Sequence, residues 1–295
     1  MSPRNIPFPR RVRAPAKLNL ALDILGRRED GYHDLRMVMQ TVSLCDTLTV
    51  ERQAEGFTLQ AEGPFLPKEG KTLEQRAAEA FFAALDRPLP GLRVTLDKTL
   101  PAYAGLGGGS SDVAALLRVL RNVYAPELDG DALERIGLEV GSDVPFCLRG
   151  GTALAEGRGE RLTDLPPLPE CGVVVCKPDF GLPTPALFAR ADAVSLHTRP
   201  DIDGMRSALE QGDLRGVADR LCNVFEEVLP EDRRAEVFAI KGRLIELGAM
   251  NAAMSGSGPA VFGLFRDFQE AERCAAVLHR DYRETFPARP VGKIH

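Results

Sequence analysis

Residues Pro101-Ala102-Tyr103-Ala104-Gly105-Leu106-Gly107-Gly108-Gly109-Ser110-Ser111 set four glycines and two serines directly before a helix-patterned segment. Glycine has no Cβ and tolerates positive φ, so such a loop lets bare backbone N–H groups approach an anion. A helix behind it adds unpaired N-terminal N–H groups and a partial positive charge. The chemistry this pattern supports is a cradle for phosphate, above all that of a nucleotide. Two better-known phosphate motifs do not fit. The dinucleotide pattern GxGxxG matches Gly105 and Gly107 but meets Ser110 at its third glycine, and it lies mid-chain instead of in an opening βαβ unit. The P-loop decoy at Gly70-Lys71-Thr72 lacks its first glycine, because residue 65 is Phe65. The glycine loop carries no lysine of its own, so a cation facing a transferred phosphate must come from elsewhere in the chain or from a metal.

Other residues could do chemistry beside it. Lys17 and Asn19 are two apart in a strand-patterned stretch and therefore share a face. Asp143 follows Gly141 in a turn, where a carboxylate either satisfies turn N–H groups or handles a proton. Residues 26–33 form a polar turn region that ends in Tyr32 and His33. A second glycine turn, Gly256-Ser257-Gly258, runs into an apolar strand within residues 254–265.

These residues need elements to hold them. After Ser111, apolar Val113, Leu116, Leu117 and Leu120 follow the spacing of one buried helical face. Ser110 or Ser111 is the expected N-cap, with Asp112 in the first turn to suit the helix dipole. Upstream, Leu92-Arg-Val-Thr-Leu96 alternates as a half-buried strand does, giving the order strand, glycine loop, helix. Leu18, Leu20, Leu22 and Ile24 predict a strand with one apolar face, and residues 38–50 predict further strand around Asp46. Helices are expected over 73–85, 129–140, 186–191, 213–227, 231–247 and 268–278, and strands over 150–157 and 172–177. The proline-rich stretch 162–171 marks a composition shift, so we place two domains at 1–160 and 161–295. Strands and helices alternate in both halves, which makes the class α+β or α/β.

Composition excludes several functions. Of 295 residues, 44% are hydrophobic and 27% charged, with a formal net charge of -5 and no basic excess to suggest a nucleic-acid partner. Arg10, Arg11 and Arg13 read as a local solvated cluster. Six cysteines form no CxxC pair and read as reduced thiols of a cytoplasmic protein. No apolar run suggests a signal peptide or a membrane span.

Three segments together resemble the three motifs of the GHMP small-molecule kinases, in order and spacing. They are Pro15-Ala-Lys-Leu-Asn-Leu20, residues 101–111 and residues 254–265. Asp30-Gly-Tyr-His33 and Gly141-Ser-Asp-Val-Pro-Phe146 are most similar to the members acting on 4-diphosphocytidyl-2-C-methyl-D-erythritol. The resemblance implies an α+β protein of two domains with the site in the cleft between them. The N-terminal domain would resemble ribosomal protein S5 domain 2, and the C-terminal one would be ferredoxin-like. It implies ATP and Mg²⁺, with the loop 101–111 on the ATP phosphates. It implies Asp143 as catalytic carboxylate, Lys17 as the cation near it, and Asn19 on the substrate. Tyr32 and His33 would contact a cytosine ring, Phe188 would lie on its other side, and Gly256, Ser257 and Gly258 would approach the diphosphate or the transferred phosphate. The partner implied is a small molecule bearing cytidine diphosphate. Two alternatives keep the same fold: a GHMP kinase for a mevalonate- or homoserine-type alcohol, and a nucleotide-binding protein without chemistry. Thr72 stands where the family usually has an asparagine of the adenine pocket, and Tyr103 stands at a usually small position.

Overall fold

The computed structural model describes residues 8–61 and 70–294. Phe65 and the chain before residue 8 lie outside the described residues. The chain forms two compact units, each gathered from separate stretches. The first takes in the chain up to Ala16, Cys45–Leu100 and Gly107–Arg149; the second takes in Lys17–Leu44, Pro101–Leu106 and the chain from Gly150 on. Strands β1 (Arg10–Arg27) and β2 (His33–Arg52) each contribute to both.

In the first unit, β3 (Phe57–Ala61) is followed by helix α1 (Leu73–Ala84) and strand β4 (Leu92–Asp97). β3 and β4 pair in parallel, which requires a crossover, and α1 lies in it. β4 then pairs antiparallel with the end of β2, Thr47 opposite Asp97. Helices α2 (Gly108–Tyr124), α3 (Gly130–Val140) and α4 (Val144–Arg149) complete the unit, with α2 packed on α1 and α4. α2 is buried all round from Ser111 to Leu120, not on the single face its apolar spacing predicts. Arg118 sits in that stretch, and its guanidinium donates to Cys147 O and Arg13 O, 2.8 and 3.1 Å away. Burial lowers its pKa to about 10.

In the second unit, β5 (Thr152–Gly157) pairs antiparallel with the start of β2 and with β6 (Arg161–Asp164). There follow β7 (Gly172–Lys177), α5 (Thr184–Asp192), α6 (Ile202–Glu210), α7 (Leu214–Asp219) and the short β8 (Cys222–Asn223). The last stretch holds α8 (Glu231–Glu246), β9 (Asn251–Met254), β10 (Val261–Phe265), α9 (Phe268–Leu278) and β11 (Glu284–Ala288). The sheet order β11-β7-β10-β9 is antiparallel throughout, with α8 between β7 and β9 and α9 between β10 and β11. That is the split βαβ arrangement of a ferredoxin-like fold. Its core includes Val174, Phe262, Phe265, Ile240 and Leu278, all buried.

The single helix expected over 213–227 is broken. α7 ends at Asp219, and Asn223 pairs with β1 in parallel before a 3-10 turn over Val224–Val228. The buried Asn223 side chain explains the break. Its amide donates to Met254 O at 2.7 Å and Gly256 O at 2.8 Å, and its oxygen accepts from Phe225 N at 3.0 Å. Those partners are out of reach of a helical Asn223. β1 also differs from expectation, since both of its faces are buried from Ala16 to Ile24.

Candidate active site

In the second unit, three sequence motifs meet. The period of β1 sets Lys17 and Asn19 side by side, and Lys17 Nζ donates to Asn19 Oδ1 at 2.7 Å. Both residues are buried. Lys17 N donates to Leu106 O at 3.0 Å, which fixes the first half of the glycine loop against the strand. Ser255 Oγ accepts from Asn19 N and donates to Gly105 O. A Cβ on Gly256 would lie 3.0 Å from Gly105 O and 3.2 Å from Lys17 Nζ. Ala260 N donates to Ala104 O, and Ser257 Oγ lies 2.7 Å from Thr184 Oγ1. Pro101 and Leu106 are buried, Ala102 is half-buried and Tyr103 is exposed. Tyr103 holds φ +51°, a left-handed conformation that costs a side chain free energy.

Gly105 must be glycine on two counts. Its φ is +77°, and a Cβ there would lie 2.1 Å from Ser255 O. Gly105→Ala should therefore destabilise the protein by at least about 2 kcal/mol, summing left-handed strain and overpacking. A urea midpoint equal to that of the parent would refute this.

The aromatic residues also lie in the second unit. His33 and Phe188 stack face to face, with ring centroids 4.4 Å apart and planes 18° apart, and Phe225 meets Phe188 edge-on. His33 is buried and its Nε2 lies 2.7 Å from Asp192 Oδ1. Tyr32 is 53% exposed, with the Arg158 guanidinium 4.7 Å above its ring.

In the first unit, the second half of the loop becomes the helix. α2 starts at Gly108 with Gly107, at φ +68°, as its N-cap, three residues before Ser110 and four before Ser111, the two expected caps. A left-handed glycine turns the chain there without help from a side chain. Ser111 N already bonds Gly107 O, and the Ser111 hydroxyl instead donates to Pro15 O at 2.7 Å. The N–H groups of Gly108, Gly109 and Ser110, in the first turn of α2, have no intrahelical acceptor, an arrangement able to hold an anion. Ser110 Oγ lies 3.6 Å from where a Cβ on Gly141 would sit, which brings the loop to the turn carrying Asp143. That turn follows the end of α3, as expected. Unexpectedly it opens α4 at once, with Cys147 N donating to Asp143 O.

Comparison with known proteins gives the family. The family described as GHMP kinases N terminal domain matches residues 72–151, and GHMP kinases C terminal matches residues 205–284. A 4-diphosphocytidyl-2-C-methyl-D-erythritol kinase of Clostridium botulinum is 38% identical over 281 residues, covering 95% of this chain and 99% of the relative. The chain belongs to the GHMP kinase family. A Clostridium kluyveri kinase of the same description is 38% identical over 280 residues, covering 95% of this chain and 99% of the relative. A crystal structure of 4-(cytidine 5'-diphospho)-2C-methyl-D-erythritol kinase superposes with TM-score 0.80 at 35% identity, covering 96% of this chain and all of that one. A homoserine kinase from Cytophaga hutchinsonii, at 16% identity and TM-score 0.73 over 98% of both chains, shares the fold.

As a GHMP kinase, the protein is an ATP-dependent kinase with the two-domain mixed α/β fold of that family. Its sequence left one charged cluster unread. Asp112 is not in the first turn of α2 but one turn in, buried and paired with Lys98 at 2.8 Å. Lys98 Nζ also donates to Asp46, which accepts from Thr99 N at 2.6 Å and Leu100 N at 2.8 Å. This ammonium lies 3.5 Å from where a Cβ on Gly108 would be, directly under the helix start. The loop thus has a nearby lysine, just upstream of its own glycines. The signal available in the sequence was Asp46, a carboxylate inside an apolar strand, which demands a buried partner. Thr72 caps α1, its hydroxyl accepting from Gln75 N at 3.2 Å.

Proposed function

We propose that this GHMP kinase transfers the γ-phosphoryl group of ATP to the 2-hydroxyl of 4-diphosphocytidyl-2-C-methyl-D-erythritol, a step of non-mevalonate isoprenoid synthesis. Near-full-length identity of 35–38% to kinases of that description supports the substrate. The observation that carries the site is the meeting of Lys17, Gly105 and Gly256, one from each family motif.

Phosphoryl transfer asks the protein for alignment and charge stabilisation more than covalent chemistry. Backbone N–H groups of 101–111 hold the ATP phosphates. Asp143 accepts or orients the proton of the acceptor hydroxyl. Lys17 favours the developing alkoxide and the charged carboxylate, and Asn19 holds Lys17 and meets the acceptor. Gly256, Ser257 and Gly258 approach the diphosphate or the transferred phosphate. Tyr32, His33 and Phe188 take the cytosine ring. The N-terminal domain covers 1–160 and the C-terminal domain 161–295, supported by family matches that fall on either side of residue 160.

Among the described residues no group of three His, Cys, Asp or Glu is arranged to hold a metal ion. Mg²⁺ fits as an ion carried chiefly by nucleotide phosphates and water, with the Ser110 hydroxyl as the available hard donor, since Ser111 is engaged with Pro15. When bound it neutralises phosphate charge. No helix among the described residues is long and apolar enough to cross a membrane, and we place the enzyme in the cytoplasm.

The test is a substrate panel with ATP and Mg²⁺. We expect ATP consumption with the cytidine-bearing acceptor, little with mevalonate or homoserine, and a new phosphate ester at the 2-position by ³¹P NMR. Preference for mevalonate or homoserine, or ATP binding without consumption, would overturn the reading.

A further inference from the structure

We propose that Asp192 is a positioning residue for nucleobase selection: it holds the His33 proton on Nε2 and leaves Nδ1 as a bare acceptor for the exocyclic amine of cytosine. The inference rests on the cytidine-bearing acceptor proposed above.

It begins from one hydrogen bond. His33 Nε2 and Asp192 Oδ1 are 2.7 Å apart. An aspartate carboxylate at neutral pH can only accept, so Nε2 must carry the proton. A neutral imidazole has one N–H, and a proton held on Nε2 leaves Nδ1 with its lone pair. Among the described residues no protein group hydrogen-bonds Nδ1.

The surroundings make this choice firm. The His33 side chain is 7% exposed, so water competes little for its ring. Phe188 lies flat against the imidazole, backed edge-on by Phe225, and this fixes the ring plane. Asp192 ends α5, the helix that also carries Phe188, so one element sets both stack and acceptor. Arg27 Nη1 stands 3.6 Å from the other Asp192 oxygen, an ion pair that favours the charged carboxylate.

The consequence is a polarity filter. Cytosine presents an amine at its 4-position, and uracil presents a carbonyl there. A bare Nδ1 accepts from the amine and repels the carbonyl, so the site gains for one base and loses for the other. Removing Asp192 frees the proton to move to Nδ1, and the preference should weaken from both directions.

The test uses the full-length enzyme at about pH 8.5, about two units above the ordinary imidazole pKa. The acceptor is supplied in cytidine and uridine forms, and kcat and KM are measured for each with the parent and with Asp192→Ala. Long-range ¹⁵N NMR of the imidazoles, assigned against His33→Gln, reads the tautomer directly. We expect the parent His33 to be the Nε2–H form and Asp192→Ala to populate the Nδ1–H form. The cytidine-to-uridine ratio of kcat/KM should fall about tenfold or more, the worth of one hydrogen bond. It should fall through a higher KM for the cytidine form and a lower one for the uridine form, with KM for ATP unchanged. Equal slowing with both acceptors, an unchanged ratio, or a parent His33 protonated on Nδ1 would overturn the proposal. Failure of the parent to phosphorylate either acceptor would instead remove the functional reading, and this inference with it.

Discussion

Asp143→Asn should lower kcat by about 10² to 10⁴, the usual contribution of a positioned acid–base group, with little change in unfolding midpoint or ATP affinity. Asparagine keeps the shape of aspartate and its ability to bond turn N–H groups, but it cannot take a proton. If Asp143 served only the turn between α3 and α4, asparagine would be nearly silent in turnover. The backbone of that turn is held independently of the side chain, by Gly141 N to Gly137 O and by Cys147 N to Asp143 O. Lys17→Met gives a second handle, since methionine retains most of the lysine stem and loses the charge. Groups that act on one hydroxyl do not contribute additively. The Asp143→Asn, Lys17→Met double variant should therefore be little slower than the worse single one. Single variants with near-parent kcat, or penalties that multiply in the double variant, would remove these residues from a shared chemical step.

The parts of this site that were legible in the sequence are those fixed by local geometry. Lys17 and Asn19 share a face because strand side chains alternate, and that required no knowledge of the rest of the chain. The glycine loop announced itself because Gly105 and Gly107 occupy positive φ, which composition alone can signal. Helix α9 falls at Phe268–Leu278, the range expected from the sequence, and the Asp267 side chain caps it by accepting from Glu270 N.

What was not legible depends on partners far away in sequence. Ser111 looked like an N-cap until Pro15 O supplied another acceptor for its hydroxyl. The stretch 213–227 has a helical composition, yet Asn223 is drawn out of a helix by carbonyls at Met254 and Gly256. His33 stood out as an imidazole in a polar turn, but its partner could not be read, because Asp192 lies 159 residues away. Lys98 showed the same difficulty: no local pattern says that a lysine after β4 will meet carboxylates from β2 and α2.

Lys98→Met should cost about 3–5 kcal/mol of stability above about pH 8, where Asp112 is ionised as well as Asp46, because it strands two buried carboxylates. Asp46 and Asp112 are both almost fully buried, and Lys98 is the ammonium between them. Asp46 keeps two backbone N–H donors after the substitution, whereas Asp112 Oδ1 already has no hydrogen-bond partner. In the parent, burial pushes the Asp112 carboxyl up from 3.8 to about 8, against the pull of Lys98 and with the neighbouring Asp46 adding to the rise. The folded state therefore binds this proton more tightly than the unfolded chain does. Asp112 contributes stability below the ordinary carboxylate range, and that contribution is lost as pH rises towards about 8. Lys98→Met removes the charge that opposes this rise, so its cost should be smaller at about pH 5, where Asp112 is protonated, than at about pH 8.5. Adding Asp112→Asn should restore much of the loss and flatten the pH dependence. Urea midpoints at the two pH values decide it: an equal loss at both would mean that Lys98 acts through packing of its stem, not through its charge.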